Sequence, residues 1–204
     1  MAPAQLTRCP WCGDDPLYRD YHDREWGVPL HDDRRLFEML LLEAFIAGLS
    51  WLTILKKREN FRAAFDGFDP RKVAAYGPDK VAELMNDAGI IRNRRKIEAA
   101  VKNARVVLEL QKEFGSFDRY LWGWVEGQPV QHACAELKDV PTQDETARAL
   151  SKDLKKRGMG FVGPVTIYSY MQAVGLINDH LVSCFRHSEL RTAHGQSGSN
   201  PAPG

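Results

Sequence analysis

Apolar residues recur every three to four positions along most of the chain, the spacing of amphipathic helices. Residues 36–55 are the most apolar stretch, but Glu38, Glu43 and the break at Gly48-Leu49-Ser50 argue against a membrane span. A spanning helix would bear a heavy cost for each carboxylate. Two helices fit better, the first capped by Asp33 and running to about Ala47, the second capped by Ser50. Asp69-Pro70 reads as the N-cap and first position of a short helix ending at Gly77. Pro78 to Asp87 forms another, closed by Gly89, and residues 91–114 form a long amphipathic helix stopped by Gly115. Ser116 caps a short segment carrying Trp122 and Trp124. A helix over 143–157 ends at Gly158, Pro164 opens one that runs to Gly175, and a last helix begins around Asn178. No sustained two-residue alternation, repeat or heptad is present. The expectation is an all-α fold in a single domain over residues 1–187. Residues 188–204 are expected to be disordered, because from His194 on they hold Gly, Ser, Asn and Pro without apolar anchors.

Composition narrows the class. With 44% apolar and 27% charged residues, the chain has the proportions of a soluble globular protein. Its 28 basic and 27 acidic residues exclude a strongly basic nucleic-acid tail but leave room for a local basic face. Acids crowd residues 14–33, whereas basic clusters stand at Lys56-Lys57-Arg58, at Arg92, Arg94, Arg95 and Lys96, and at Lys152, Lys155, Lys156 and Arg157. Any one cluster reads equally well as a solvated helix face; together they mark a candidate phosphate-facing surface. Residues 1–6 lack the apolar run of a secretory signal, and only four cysteines are present. A reducing cytoplasm is therefore expected, where thiols serve cores and metals more than disulfides.

Those cysteines group with histidines. Cys9-Pro10-Trp11-Cys12 is a C-x-x-C pair followed by His22, and far along the chain His180 and Cys184 stand four apart, one turn on a helix. Alone, the first pair could be a redox couple and the second a core thiol beside a histidine. Both in a cysteine-poor chain point to zinc, with four ligands to be drawn from Cys9, Cys12, His22, His180 and Cys184. A complete protein shell makes the ion structural, one per chain, joining the N-terminal segment to the last helix.

Glu43 lies on the wrong face of its helix. Leu36, Met39, Leu40 and Ala47 share that face, whereas Glu38 follows Arg34 by four residues as a solvent-side pair. A carboxylate on an apolar face either snorkels out, binds a backbone amide or lines a pocket. Trp11, Tyr18, Tyr21, Trp26 and Trp51 crowd the first quarter of the chain. Each alone reads as core, but beside Glu43 they suggest a pocket for a flat, hydrogen-bond-donating and cationic ring. Finally, residues 155–164 (KKRGMGFVGP) join two helices through glycines, with lysines beside a helix start that could face a phosphate.

At this point a family resemblance is specific. Residues 21–29 (YHDREWGVP), 47–51 (AGLSW), 56–60 (KKREN), 87–92 (DAGIIR), 155–158 (KKRG), 161–163 (FVG), 168–175 (YSYMQAVG) and 178–180 (NDH) resemble, in order, the bacterial DNA-3-methyladenine glycosylase I family over residues 8–185. The resemblance implies a helix-hairpin-helix glycosylase fold whose zinc clasp joins residues 8–26 to a helix over 178–185. It implies zinc ligands at Cys9, His22, His180 and Cys184, leaving Cys12 over. It further implies a monofunctional hydrolase that flips 3-methyladenine out of alkylated double-stranded DNA and frees the base. Glu43 falls on the family's catalytic, base-reading glutamate. Tyr21 and Trp51 fall on its stacking rings, sandwiching the base, with Trp11, Tyr18 and Trp26 nearby. Leu49 and Ser50 fall where the family fills the gap left in the duplex. Gly158, Gly160, Gly163, Lys155 and Lys156 belong to its backbone-holding hairpin, although Gly160 stands where the family pattern has Lys. Related glycosylases carry an aspartate in a V-D-T-H segment, and aligning the histidines puts Asn178 at its position. Asp179, one residue off, is expected to point elsewhere on a helix. No membrane association is expected, and the protein is expected to act as a monomer. The competing readings are a zinc-stabilised DNA-binding module without catalysis, a zinc hydrolase and a thiol oxidoreductase.

Overall fold

The computed structural model describes residues 6–46 and 48–195. Among these residues the chain forms α1 (Pro16–Arg24), α2 (Asp33–Phe45), α3 (Trp51–Ala64), α4 (Pro70–Ala74), α5 (Pro78–Asn86), α6 (Arg94–Phe114), α7 (Phe117–Trp122), α8 (Glu145–Lys156), α9 (Pro164–Ala173) and α10 (Phe185–Gly195). None of them is long and apolar enough to cross a membrane. The secretory-signal reading on residues 1–5 and the tail reading on 196–204 fall outside the described residues.

Local chemistry sets most boundaries. The side chains of Ser50, Asp69, Asn93, Ser116 and Asp144 each accept a backbone N–H of the first turn that follows. Gly115 closes α6 in the left-handed conformation at φ 88°. The cap of α2 is Asp32 and not Asp33. Asp33 accepts bonds from Gln111 Nε2 and from the backbone N–H groups of Phe117 and Asp118, tying α2 to the α6–α7 turn.

α2 is the central rod. Every residue from Leu36 to Phe45 is buried, and the helix packs against α3, α6, α7 and α9. Glu38 is one of these buried residues, which corrects the solvent-side expectation. Its carboxylate receives Arg58 Nε at 2.6 Å and Arg62 Nη2 at 2.8 Å from α3, while Arg58 Nη1 reaches Glu25 at 2.8 Å. A buried carboxylate persists when a planar guanidinium meets it with directed bonds. Arg58→Lys keeps the charge and loses the fork. Thermal unfolding should show a loss of about 2 kcal/mol, and an unchanged midpoint would remove this account.

The C-terminal region departs from expectation. No helix begins at Asn178: Ile177–Asn178 is a two-residue strand, β2, paired in parallel with β1 (Val130–Gln131). Residues 179–184 run without helix, and α10 starts at Phe185, so part of the expected tail is helical. Gly175 makes this path possible. It holds φ 76°, and the backbone of Val28-Pro29 occupies the space where a Cβ would stand. Gly27 N–H donates to Gln172 O and Leu30 N–H to Val174 O, so the N-terminal segment is laced onto the end of α9.

Candidate active site and metal centre

Four buried side chains converge where the two ends of the chain meet. The ligand atoms of Cys9, His22, His180 and Cys184 all lie within 4.8 Å of one another. Cys9 Sγ is 3.6 Å from His180 Nδ1, and Cys184 Sγ is 3.5 Å from both His180 Nδ1 and His22 Nε2. Tetrahedral zinc with ordinary sulfur and nitrogen bond lengths spaces such atoms about 3.6 Å apart, so the set fits. The remaining ring nitrogens are committed elsewhere: His22 Nδ1 is 2.7 Å from Asp23 Oδ1, and His180 Nε2 donates to Trp26 O at 3.0 Å. Arg8 grips Asp23 in turn, with Nη2 2.7 Å from Oδ2. These partners fix ring orientation toward an ion. Hydrogen bonding from Cys9, and then from the two imidazoles, holds the Cys184 thiol far below its ordinary value, while the bond to Cys184 and burial raise Cys9. Cys12 is outside the set: the turn over Pro10–Cys12 directs its Sγ to Cys9 O at 3.2 Å. His180 and Cys184 reach the set from the irregular 179–184 segment, not from the helical turn that their spacing suggested.

Beside the cluster opens a cleft of ≈ 360 Å³. Tyr21 and Tyr18 from α1, Trp11, Trp26 and Trp51 line one side with Glu43. Leu137, Val140 and Pro141 of the α7–α8 connection, with Val165, Ser169 and Gln172 of α9, line the other. Glu43 is 5% exposed, and no hydrogen bond to its carboxyl is found among the described residues. Burial pushes it up to about 8. Trp51 Nε1 is buried and finds no hydrogen-bond partner among the described residues. Tyr21 and Trp51 touch each other, with ring centroids 5.3 Å apart at 50°. Stacking a base between two rings needs about 7 Å, two van der Waals spacings. At 5.3 Å and 50° the two rings enclose no base-width gap in this arrangement.

Glu43 has a stability signature. Folding raises its proton affinity, so its contribution is full at low pH and is lost as pH climbs through about 8. Glu43→Gln stays neutral. Its stability should match wild type near pH 4.5 and exceed it increasingly up to pH 8, the gap levelling at about 5 kcal/mol. A gap independent of pH would contradict a protonated Glu43.

Leu49 and Ser50 stand at the start of α3, both exposed, Leu49 at 41%. Gly158 (φ 102°) and Gly163, the N-cap of α9, turn the chain between α8 and α9, with Lys155 and Lys156 exposed alongside. Asn103 of α6 receives Gly160 N–H at 2.9 Å and donates to Gly160 O at 3.1 Å. A Cβ at position 160 would crowd Ala99, so the glycine suits this seat. Much of the basic surface is committed internally. Lys56 pairs with Asp15, Lys57 donates to Ala88 O and Gly89 O, and Arg157 pairs with Asp153 and Glu113. Lys96 is buried with its Nζ 2.7 Å from Phe45 O.

One residue is placed against expectation. Asp179, read as facing away, is 1% exposed and lines the cleft. The extended path after β2, which sequence periodicity did not reveal, turns it inward. Asn178 points elsewhere, its Nδ2 donating to Gln131 Oε1 and His187 O.

The fold and cleft are those of a glycosylase. A crystal structure of a 3-methyladenine DNA glycosylase I superposes with a TM-score of 0.86 at 51% identity, covering 89% of this chain and 100% of that one. The Staphylococcus aureus enzyme, solved for the basis of its 3-methyladenine recognition, gives 0.85 at 43% identity over 88% of this chain and 96% of its own. The chain belongs to the methyladenine glycosylase family, whose profile matches residues 11–187. DNA-3-methyladenine glycosylase 1 of Escherichia coli is 51% identical over 179 residues, 88% of this chain and 96% of the relative. DNA-3-methyladenine glycosylase of Haemophilus influenzae is 47% identical over 178 residues, 87% and 96% of the respective chains.

Proposed function

We propose that this chain hydrolyses the N-glycosidic bond of 3-methyladenine in alkylated double-stranded DNA and releases the free base, without lyase chemistry. The observation that carries the reading is the buried Glu43 carboxyl, without a hydrogen bond among the described residues, facing a cleft walled by aromatic rings. The E. coli and H. influenzae relatives are named for this activity. A 3-methylated adenine in DNA is cationic and leaves readily, so the protein must chiefly extract and read it. The base rests against Tyr21 and Trp51, and Glu43 accepts its hydrogen bonds. Leu49, exposed at the start of α3, fills the gap in the duplex. The α8–α9 turn, with Gly158, Gly160, Gly163, Lys155 and Lys156, holds the phosphates as the hairpin of a helix-hairpin-helix pair. Cys9, His22, His180 and Cys184 hold zinc, which supplies a fixed cross-link; four protein ligands leave no position for substrate.

Dimethyl-sulfate-treated duplex DNA, incubated with the protein and resolved by chromatography, tests the reading. Selective release of 3-methyladenine is expected. Binding of the duplex with no base released by folded, zinc-loaded protein would leave a DNA-binding module instead.

A further inference from the structure

Asp179 is the second carboxyl group of the cleft, and the reaction above gives it no part. Three donors fix it. Tyr168 Oη and Gln172 Nε2 each lie 2.7 Å from Oδ2, and His132 Nδ1 lies 2.6 Å from Oδ1. Two oxygens offer about four acceptor sites, so this frame leaves one open. Among the described residues no lysine or arginine pairs with Asp179, although it is buried. Its place in the cleft follows from α9. That helix leaves the α8–α9 turn at Gly163, and its cleft face passes from Val165 at the exposed rim through Ser169 to Gln172. Asp179 is bonded to this helix by Tyr168 and Gln172, whereas Glu43 and Trp51 come from α2 and α3. A nucleotide with its base at Glu43 and its phosphates at the α8–α9 turn carries its sugar between the two, along the α9 side.

We propose that Asp179 is a catalytic residue whose negative charge faces the deoxyribose and stabilises the cationic sugar of the transition state. This rests on the base-excision reading. As the bond from C1′ to the base breaks, its electron pair leaves with the base, which becomes neutral. Positive charge spreads over C1′ and O4′ opposite Asp179. Water then bonds to C1′ and releases its proton to solvent. A fixed carboxylate in a site shielded from water is suited to this role, because its orientation costs nothing at the moment of reaction.

The test uses duplex DNA carrying either a protonated pyrrolidine in place of the sugar or a neutral tetrahydrofuran, each with free 3-methyladenine present. Wild-type protein should bind the cationic duplex about tenfold more tightly or better, Glu43→Gln should keep that preference, and Asp179→Asn should erase it. At equal zinc content, Asp179→Asn should also slow single-turnover base release by about tenfold or more, while its affinity for free 3-methyladenine changes by less than about threefold. A merely structural Asp179 would not separate the two duplexes. Absence of the preference in wild type, its survival in Asp179→Asn, or its loss in Glu43→Gln overturns the proposal. If Asp179→Asn does not fold, wild type and Glu43→Gln still decide. Wild-type protein that releases no base overturns the excision reading and this one with it.

Discussion

With Cys9, His22, His180 and Cys184 holding zinc as proposed, a chelator should lower the melting temperature by roughly 10–15 °C, a loss of about 4–5 kcal/mol from a domain of this size. The expectation follows from what the four ligands join. Cys9 and His22 belong to the N-terminal segment and His180 and Cys184 to the stretch before α10; in that small cluster Leu181 is the other fully buried apolar residue, with Trp11, Cys134, Val140 and Phe185 partly buried against it. Without an ion, two sulfurs and two imidazoles crowd one dry site, where hydrogen bonds stand in for ligand bonds in compensating a thiolate. The effect stays below that of an isolated zinc finger because the large core around α2 persists. Cys184→Ser should reproduce the loss, and Cys12→Ser should bind metal as wild type does. Asp23→Asn should weaken metal binding by roughly 10–100-fold, since it frees the His22 ring. Zinc content and calorimetry on the same samples check all three, and a Cys12→Ser protein that fails to hold metal would refute the ligand assignment.

Glu43→Ala should cut kcat/KM for 3-methyladenine release by roughly 10²–10⁴-fold. The carboxyl lines the cleft and has no hydrogen-bonding partner among the described residues, so removing it leaves the donors of the base unmatched in a desolvated place. Glu43→Gln separates the two roles open to the residue. It keeps one carbonyl acceptor, so a loss well below 10²-fold assigns Glu43 to recognition, whereas a loss equal to that of Glu43→Ala assigns it proton transfer or charge. A residue pushed up to about 8 also changes protonation near neutrality, and the wild-type rate profile should carry an inflection there that Glu43→Gln lacks.

What the sequence revealed and what it hid divide along the distance over which each feature is determined. Ser50, Asp69 and Ser116 cap their helices through bonds to residues two or three ahead, so their role is legible in a short window. Glu43 was legible as misplaced because its helical neighbours are all apolar. Glu38 was misread because its partners lie on α3, 20 and 24 residues away, and no periodicity carries that information. α1, with Asp15 as cap and Pro16 in the first turn, leaves little periodic signal because acids crowd the stretch and its apolar face is short. The 177–184 segment was misread as helical because its path depends on pairing with Val130–Gln131 and on backbone pressed against Gly175. Asp179 was lost with it. The residue types of the metal set were legible, but only the turn at Pro10–Cys12 separates Cys9 from Cys12.

The clasp also orders events during synthesis. Leu181 N–H reaches Cys9 Sγ across 172 residues of chain, and Cys184 lies farther still. The chain through Cys184 must therefore leave the ribosome before His180 and Cys184 can join Cys9 and His22. Until then Cys9 and His22 form half a site, open to other metals and oxidants. The helices around α2 can pack in this interval, because their contacts come from the first two-thirds of the chain and from α9. The late ligands then act as a seal on a nearly finished body, and the slow, long-range closure falls at the end of the folding sequence.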